Sequence, residues 1–243
     1  MCTQRVQTAV LLFSLPAPLA ASHKRLANGN SQKHKLKRSR TLWTYMHQLA
    51  LAKTQAAQLP CIQSAAILSE AELNAPFGEQ LQKAIYRTLH LGYKQLIIIG
   101  NDCPGLTIGD LRNAANELAN GKLPIGGDQR GGVFLFGIDD RFLRDAPPEL
   151  FAKLPWQTPL LGKTLTAFLK RFFGELYQLS AVRTDWNNPA DLGSGIDKNG
   201  AFSWLTAHIL AIISRYLLVV SIPVLPFFSY RIAHFYGLRA PPL

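Results

Sequence analysis

Short apolar runs alternate with longer amphipathic stretches along the chain, the pattern of an α/β three-layer sandwich whose mainly parallel central sheet is covered by helices on both faces. Gln95-Leu96-Ile97-Ile98-Ile99 is the clearest buried strand. The apolar run of residues 8–15, closed by Pro16 and Pro18, predicts a first buried strand. Together with Arg5 and the small residues around Ala20 and Ala21 it also reads as a weak signal peptide. The strand is preferred, because the sheet needs a first strand and the chain lacks paired cysteines. Residues 61–68, a short run to Ile125, residues 133–138 and residues 179–184 predict further strands. Helical spacing covers residues 42–59 (Leu42, Met46, Leu49, Ala50), closed by Pro60. It recurs over residues 77–91, where Phe77, Leu81, Ala84, Ile85 and Leu89 share a side and Gly92 ends the helix. Residues 111–118, stopped by Gly121, and residues 164–176 follow the same spacing. The polar, basic residues 22–40, with Gly29, Asn30 and Ser31 at a turn, predict a loop or partly ordered arm. No internal repeat or heptad is present.

Charge divides the chain more sharply than composition does. Of the net +11, none is offset by an acid before Glu70 or after Asp197, so both ends are cationic and the middle is near neutral. Cationic ends suit a phosphate-bearing ligand, an anionic membrane surface or RNA, or simply form a solvated basic face. Cys2, Cys61 and Cys103 give neither a disulfide framework nor zinc spacing, so a reducing cytoplasm is the expected location. Residues 201–230 are apolar around a single charge, Arg215, with Pro223 and Pro226 interrupting the second half. Three outcomes stay open for them: a helix docked on the domain, interfacial membrane attachment, or a true span. The expected division is residues 1–197 as a nucleotide-binding domain and residues 198–243 as an apolar, basic, helical extension.

Candidate chemistry gathers at three strand ends. In Gly100-Asn101-Asp102-Cys103-Pro104-Gly105 a carboxylate follows a buried parallel strand directly, at the sheet edge where α/β folds bind ligands. Magnesium there would take oxygen from Asp102 and from substrate phosphates. The alternative is an aspartate that caps the next turn. Gly126-Gly127-Asp128-Gln129-Arg130-Gly131-Gly132 permits close approach of backbone to a ligand, or is a simple β-turn. Thr184-Asp185-Trp186-Asn187-Asn188-Pro189-Ala190-Asp191 could supply a second metal oxygen through Asp185 or Asn187, or merely cap a helix near Asp191.

Taken in order, these segments resemble the glycosyltransferase-A-like superfamily of nucleotide-diphospho-sugar transferases. The nearest group is an uncharacterised bacterial family related to phospholactate and molybdenum-cofactor guanylyltransferases. Its strand followed by Gly-x-Asp-x-Pro is met by Gly100, Asp102 and Pro104, and its Phe-Gly-Glu-Arg-Leu by Phe77-Gly78-Glu79-Gln80-Leu81. Its Asp-Gly-Gly before an apolar strand is met by Arg130-Gly131-Gly132, with Gly137 at the strand's end. Trp156-Gln157-Thr158 matches a Trp-x-Thr element, and Asp185, Asn187, Asp191 and Leu192 match the last motif. The resemblance implies that Asp102 coordinates the metal, magnesium or manganese, with Asn187 or Asp185 as second ligand. Lys24 and Arg25 then meet phosphates, Gly100, Gly131 and Gly132 border the ligand, and Trp156 and Thr158 shape the acceptor side. Arg130 stands where the family has an acid; it can clamp a phosphate but cannot bind metal or act as a base. The first loop, Pro16-Ala17-Pro18-Leu19, lacks the glycine of the family's Pro-x-Pro-Gly.

Three functions follow as expectations. One is a metal-dependent glycosyl or nucleotidyl transferase that uses a nucleotide-sugar or nucleoside triphosphate. A second is a degenerate relative that binds a nucleotide or a partner without turnover. A third is a peripheral membrane module built on the basic arm and apolar tail. Nucleic acid is not expected as a partner.

Overall fold

The computed structural model describes residues 8–26 and 31–214. In chain order the elements are β1 (Thr8–Leu12), α1 (Ala17–His23), α2 (Gln32–Ala56), β2 (Cys61–Gln63), α3 (Ser64–Ile67), α4 (Phe77–His90) and β3 (Gln95–Ile99). Then come α5 (Ile108–Ala119), β4 (Leu123–Gly127), β5 (Val133–Asp139), α6 (Phe142–Asp145), α7 (Pro148–Ala152), α8 (Leu161–Phe173), β6 (Leu176–Gln178) and α9 (Ser203–Ile213).

The six strands form one sheet in the order β2-β1-β3-β5-β4-β6. All run in one direction except β5, which pairs antiparallel with both β3 and β4. The tight turn between β4 and β5, with Gly131 at φ +85°, forces that reversal, since two neighbouring strands joined by a few residues can only be antiparallel. Every residue of Ala9–Leu12 and of Leu96–Ile99 is buried, so both faces of the central strands are covered and the fold has three layers. The chain moves from β1 to β2 on one side and places β3 on the other. The carboxyl ends of β1 and β3 therefore diverge into a crevice, the switch point at which open α/β sheets bind ligands.

The first strand is the buried strand expected, although it ends at Leu12. The basic stretch is different from the expectation: α2 begins at Gln32, so residues 32–40 are helix and not an arm. Lys and Arg are good helix formers, and the Ser31 hydroxyl caps the start by accepting from the His34 N–H. Leu36 and the buried Leu42, Trp43 and Met46 continue one apolar face into a second core formed with α1, Trp186 and α9. Residues 61–68 are strand only to Gln63. Buried Ser64 then turns the chain into α3, its hydroxyl accepting from the Ser14 N–H and donating to the Ser14 carbonyl, both at 3.0 Å. The late strand lies three residues earlier than expected, as β6 at Leu176–Gln178, and α8 is shifted by the same amount, to Leu161–Phe173. Beyond β6 the chain stays beside β4, with the Leu179 N–H donating to the Ile125 carbonyl and the Arg183 N–H to the Gly127 carbonyl, and a bridge pairs Asp128 with Arg183.

Helix α9 packs on α2, and the Arg38 guanidinium donates to the carbonyls of Ile212 and Ser214 at its carboxyl end. A cation there satisfies orphan carbonyls and complements the helix dipole. The remainder of the expected apolar extension, residues 215–243, lies outside the described residues. Among those described, no helix is long and apolar enough to cross a membrane.

Away from the crevice, Glu72 accepts from both guanidinium nitrogens of Arg87 and from Ser69, which lowers its carboxyl from 4.5 to about 2. A depressed folded value contributes stability above pH 4.5 that is lost as pH falls toward 2. Glu72→Gln is therefore expected to lower the melting temperature at pH 7 and to match the native protein near pH 2. Equal melting temperatures at pH 7 would show the network to be inert.

Candidate functional site

A cavity of about 850 Å³ opens at the crevice between β1 and β3. Its residues come from the segments after β1, β3 and β4, from α4, and from the chain around residues 156–161 and 185–187. Asp102 sits three residues past β3, about one-quarter exposed, and lines the cavity. Gly100 makes its orientation feasible: a Cβ there would lie 2.5 Å from Asp102 Oδ1, so the glycine gives the carboxylate room to fold back over the strand end. The Asp102 carbonyl accepts from the Trp186 N–H at 2.8 Å. Trp186 is fully buried, its indole donating to the Ser194 carbonyl at 3.0 Å, so this extended segment turns Asp185 and Asn187 the opposite way, into the cavity. From behind, buried Lys53 donates to the Pro104 carbonyl at 2.7 Å and steadies the Asp102 loop; burial lowers its ammonium to about 8.

Lys24 joins the two halves of the site. Its Nζ donates to Asp102 Oδ2 at 3.0 Å and to Asn187 Oδ1 at 2.6 Å. Its own backbone is held in place, because the Lys24 carbonyl accepts from the Trp43 indole at 3.0 Å. Asp185 and Asp128, both buried, complete an acidic floor. Burial first, then the charges of Asp102 and Asp128, push the Asp185 carboxyl from 3.8 up to about 8. One of its oxygens, Oδ1, is buried without a hydrogen-bond partner. Burial, followed by the charges of Asp185 and Asp102, raises the Cys103 thiol well above its ordinary value, which leaves no thiolate at neutral pH.

Oxygen donors on Asp102, Asp185 and Asn187 fit a hard divalent cation, and the unpartnered Asp185 oxygen is an acceptor that a cation would satisfy. Among the described residues no three His, Cys, Asp or Glu form a ligand cluster on their own. The donor set thus suits magnesium, which usually takes one or two protein carboxylates and completes its shell with water and phosphate.

The remaining expected residues divide. Arg130 lines the cavity, yet its Nη1 donates to both oxygens of Asp191, at 2.9 and 3.0 Å, and its Nη2 to the Asp185 carbonyl. Asp191 also accepts from the Asn187 and Asn188 N–H groups. Burial opposes its charge, but these N–H groups and the guanidinium prevail and hold its carboxyl below the ordinary value. Arg130 in this state is a brace for residues 185–191, not a free phosphate clamp. Arg130→Ala is expected to cost on the order of 1 kcal/mol of stability, measured by urea unfolding, since the pair is partly exposed. No change would mean that the loop holds itself. Arg25 is exposed, bonded to Gln32 at 3.0 Å, and is not among the residues lining the cavity. Gly131 packs against residues 159–162: a Cβ would meet the Pro159 carbonyl at 2.3 Å, and the Gly162 N–H donates to its carbonyl at 2.8 Å. Gly132 lines the cavity beside Asp128. Thr158 also lines it, with its hydroxyl turned to the Pro155 carbonyl.

Trp156 belongs to an aromatic wall. Its ring lies 5.8 Å from Phe77 and 6.3 Å from Phe136, and Phe77 meets Phe13 edge-on at 5.1 Å. Phe13, Phe77 and Phe136 were not singled out as site residues from the sequence, because an aromatic at helix or strand spacing reads as core. Asp128 was also missed. It follows β4 immediately, closer than Asp102 follows β3, and the same rule would have found it.

This sheet order, with one reversed strand and a cavity at the switch point, defines a nucleotide-diphospho-sugar-transferase-like α/β fold. A candidate nucleotide-diphospho-sugar transferase from Desulfovibrio desulfuricans G20 superposes with a TM-score of 0.57 at 16% identity, over 85% of this chain and 96% of that one. A cytidylyltransferase from Leptospira borgpetersenii gives 0.43 at 11% identity, over 87% and 98%. Residues 36–158 match the family described as "Uncharacterized protein conserved in bacteria (DUF2064)", and the chain belongs to that family. No curated protein matches the chain.

Proposed function

We propose that the chain is a transferase that binds a nucleotide-sugar or nucleoside triphosphate at the mouth of this cavity and passes on its glycosyl or nucleotidyl group. The observation that carries the reading is the single hydrogen-bonded set of Lys24, Asp102 and Asn187 at the switch point. Donor phosphates bind at this set, with Lys24 supplying a mobile positive charge. Asp102, Asn187 and Asp185 hold magnesium or manganese. When bound, the ion offsets negative charge that builds on the phosphates during transfer. Asp191 and Arg130 keep Asn187 and Asp185 turned toward that point. The wall of Phe77, Trp156 and Phe136 offers stacking faces to the non-phosphate part of a ligand and excludes water from it. The candidate transferase of the same fold supports this choice of substrate class.

The test is thermal stabilisation by a panel of nucleoside triphosphates and nucleotide-sugars, with and without magnesium. At least one nucleotide should raise the melting temperature in a magnesium-dependent way, and Asp102→Ala should abolish the shift. No shift with any nucleotide would overturn the reading. The bracing role of Arg130, which takes a cation away from the ligand, favours one second reading: a relative that binds nucleotide without turning it over. Stabilisation with neither hydrolysis nor transfer would select it.

A further inference from the structure

Three carboxylates face the cavity, from Asp102, Asp128 and Asp185, and the basic side chains lining it among the described residues are His23, Lys24 and Arg130. Arg130 is committed to Asp191 and to the Asp185 carbonyl. Lys24 is the cation that touches the acidic floor, and it does so through Asp102 Oδ2 and Asn187 Oδ1, two oxygens of the proposed metal-holding set. An ammonium and a divalent ion cannot both take those lone pairs at full strength, and two cations side by side repel.

We propose that Lys24 is a gate on the metal site: its ammonium sits in the cation seat between Asp102 and Asn187, and a polyphosphate draws it out, so that the ion enters with or after the phosphate ligand and not before it. This rests on the reading of Asp102 and Asn187 as metal ligands, and adds an order of binding to it. The movement required is small. The Lys24 backbone is anchored by Trp43 and by its own N–H bond to Ala20, whereas its side chain is one-third exposed, so a change of side-chain rotamer suffices. The ion pair that must break is partly solvated, so the gate is weak enough for a ligand's phosphate to open. The device serves a transferase by keeping a bare ion from settling on the acidic floor without its nucleotide.

The experiment measures Mn2+ binding to the full chain by equilibrium dialysis, with Mn2+ alone and with Mn2+ plus inorganic pyrophosphate. It uses the native protein, Lys24→Met, Lys24→Gln and, as a control for loss of a nearby charge, Arg25→Met; melting curves verify folding. The proposal expects Mn2+ alone to bind Lys24→Met and Lys24→Gln about tenfold more tightly than the native protein. Arg25→Met should stay within threefold of native, and Asp102→Asn placed on Lys24→Met should remove the gain. Pyrophosphate should narrow the difference between native and Lys24→Met. Equal affinity of native and both Lys24 variants for Mn2+ alone, abolished by Asp102→Asn, would overturn the gate and leave the metal site standing. Equal tightening by Arg25→Met would also overturn it, as a general charge effect. No Mn2+ binding by any form, with or without pyrophosphate, would overturn both the gate and the metal reading beneath it.

Discussion

Gly78→Ala is expected to lower the stability of the protein by about 2–3 kcal/mol, through overpacking that its surroundings cannot relieve. A Cβ at this position would lie 2.0 Å from the Ala152 carbonyl oxygen and 2.6 Å from the Trp156 ring. The ring is the far side of the ligand cavity and the carbonyl is backbone of α7, so α4 and α7 must separate or the indole must leave its place. That indole is held by a bond from its Nε1 to the Phe151 carbonyl at 3.0 Å and by edge contact with Phe151 at 5.0 Å. The loss should appear as a lower urea midpoint and as a shifted tryptophan emission that Gly109→Ala, at a roomier position with its nearest neighbour at 3.6 Å, does not produce. An unchanged midpoint would mean that α4 and α7 are not apposed as described.

The second large effect concerns Asp185. Its folded carboxyl titrates near 8 against 3.8 when solvated, because it is buried and faces Asp102 and Asp128. Between those two values the native state holds a proton that the unfolded state has released. Stability from this group is therefore fully present below about pH 4 and is lost as pH rises to about 8. Asp185→Asn removes the titration while keeping the shape. In the presence of a chelator the variant should be more stable than the native protein at pH 8, by on the order of 2 kcal/mol, with the difference shrinking toward pH 4.5. Chemical denaturation at a series of pH values reads this directly. A difference that does not change with pH would contradict the burial and crowding assigned to Asp185. The stabilised variant should also lose magnesium-dependent nucleotide stabilisation, the usual exchange of stability against a strained functional group.

How far these residues were legible in the sequence differs by element. The central strands were plain, because β1 and β3 are covered on both faces and read as unbroken apolar runs. Helix α4 was equally plain, since its apolar residues recur on one face and Gly92 closes it at φ +97°. The amino-terminal part of α2 was hidden by its charge. Lys33, Lys35, Lys37, Arg38 and Arg40 look like a solvated arm, and only contacts distant in sequence, Arg38 with the end of α9 among them, reveal a packed helix. Asp102 was legible because it follows a strand of unmistakable type. That Lys24 lies within hydrogen-bond distance of both Asp102 and Asn187, positions 78 and 163 residues away, depends on tertiary folding that no local pattern carries. Arg130 shows the limit of motif reading: its type suggested a phosphate clamp, while its partners, Asp191 and the Asp185 carbonyl, make it a brace.

The chemistry attributed to this fold stands on where an ion and a phosphate chain come to rest. A crystal soaked with Mn2+ and the nucleotide that stabilises the protein most, with data collected at the manganese absorption edge, locates both. The account predicts an anomalous peak beside the Asp102 carboxylate, phosphate density within reach of Lys24, and the Lys24 side chain withdrawn from Asn187. A peak elsewhere, or a nucleotide bound away from the crevice between β1 and β3, would contradict it.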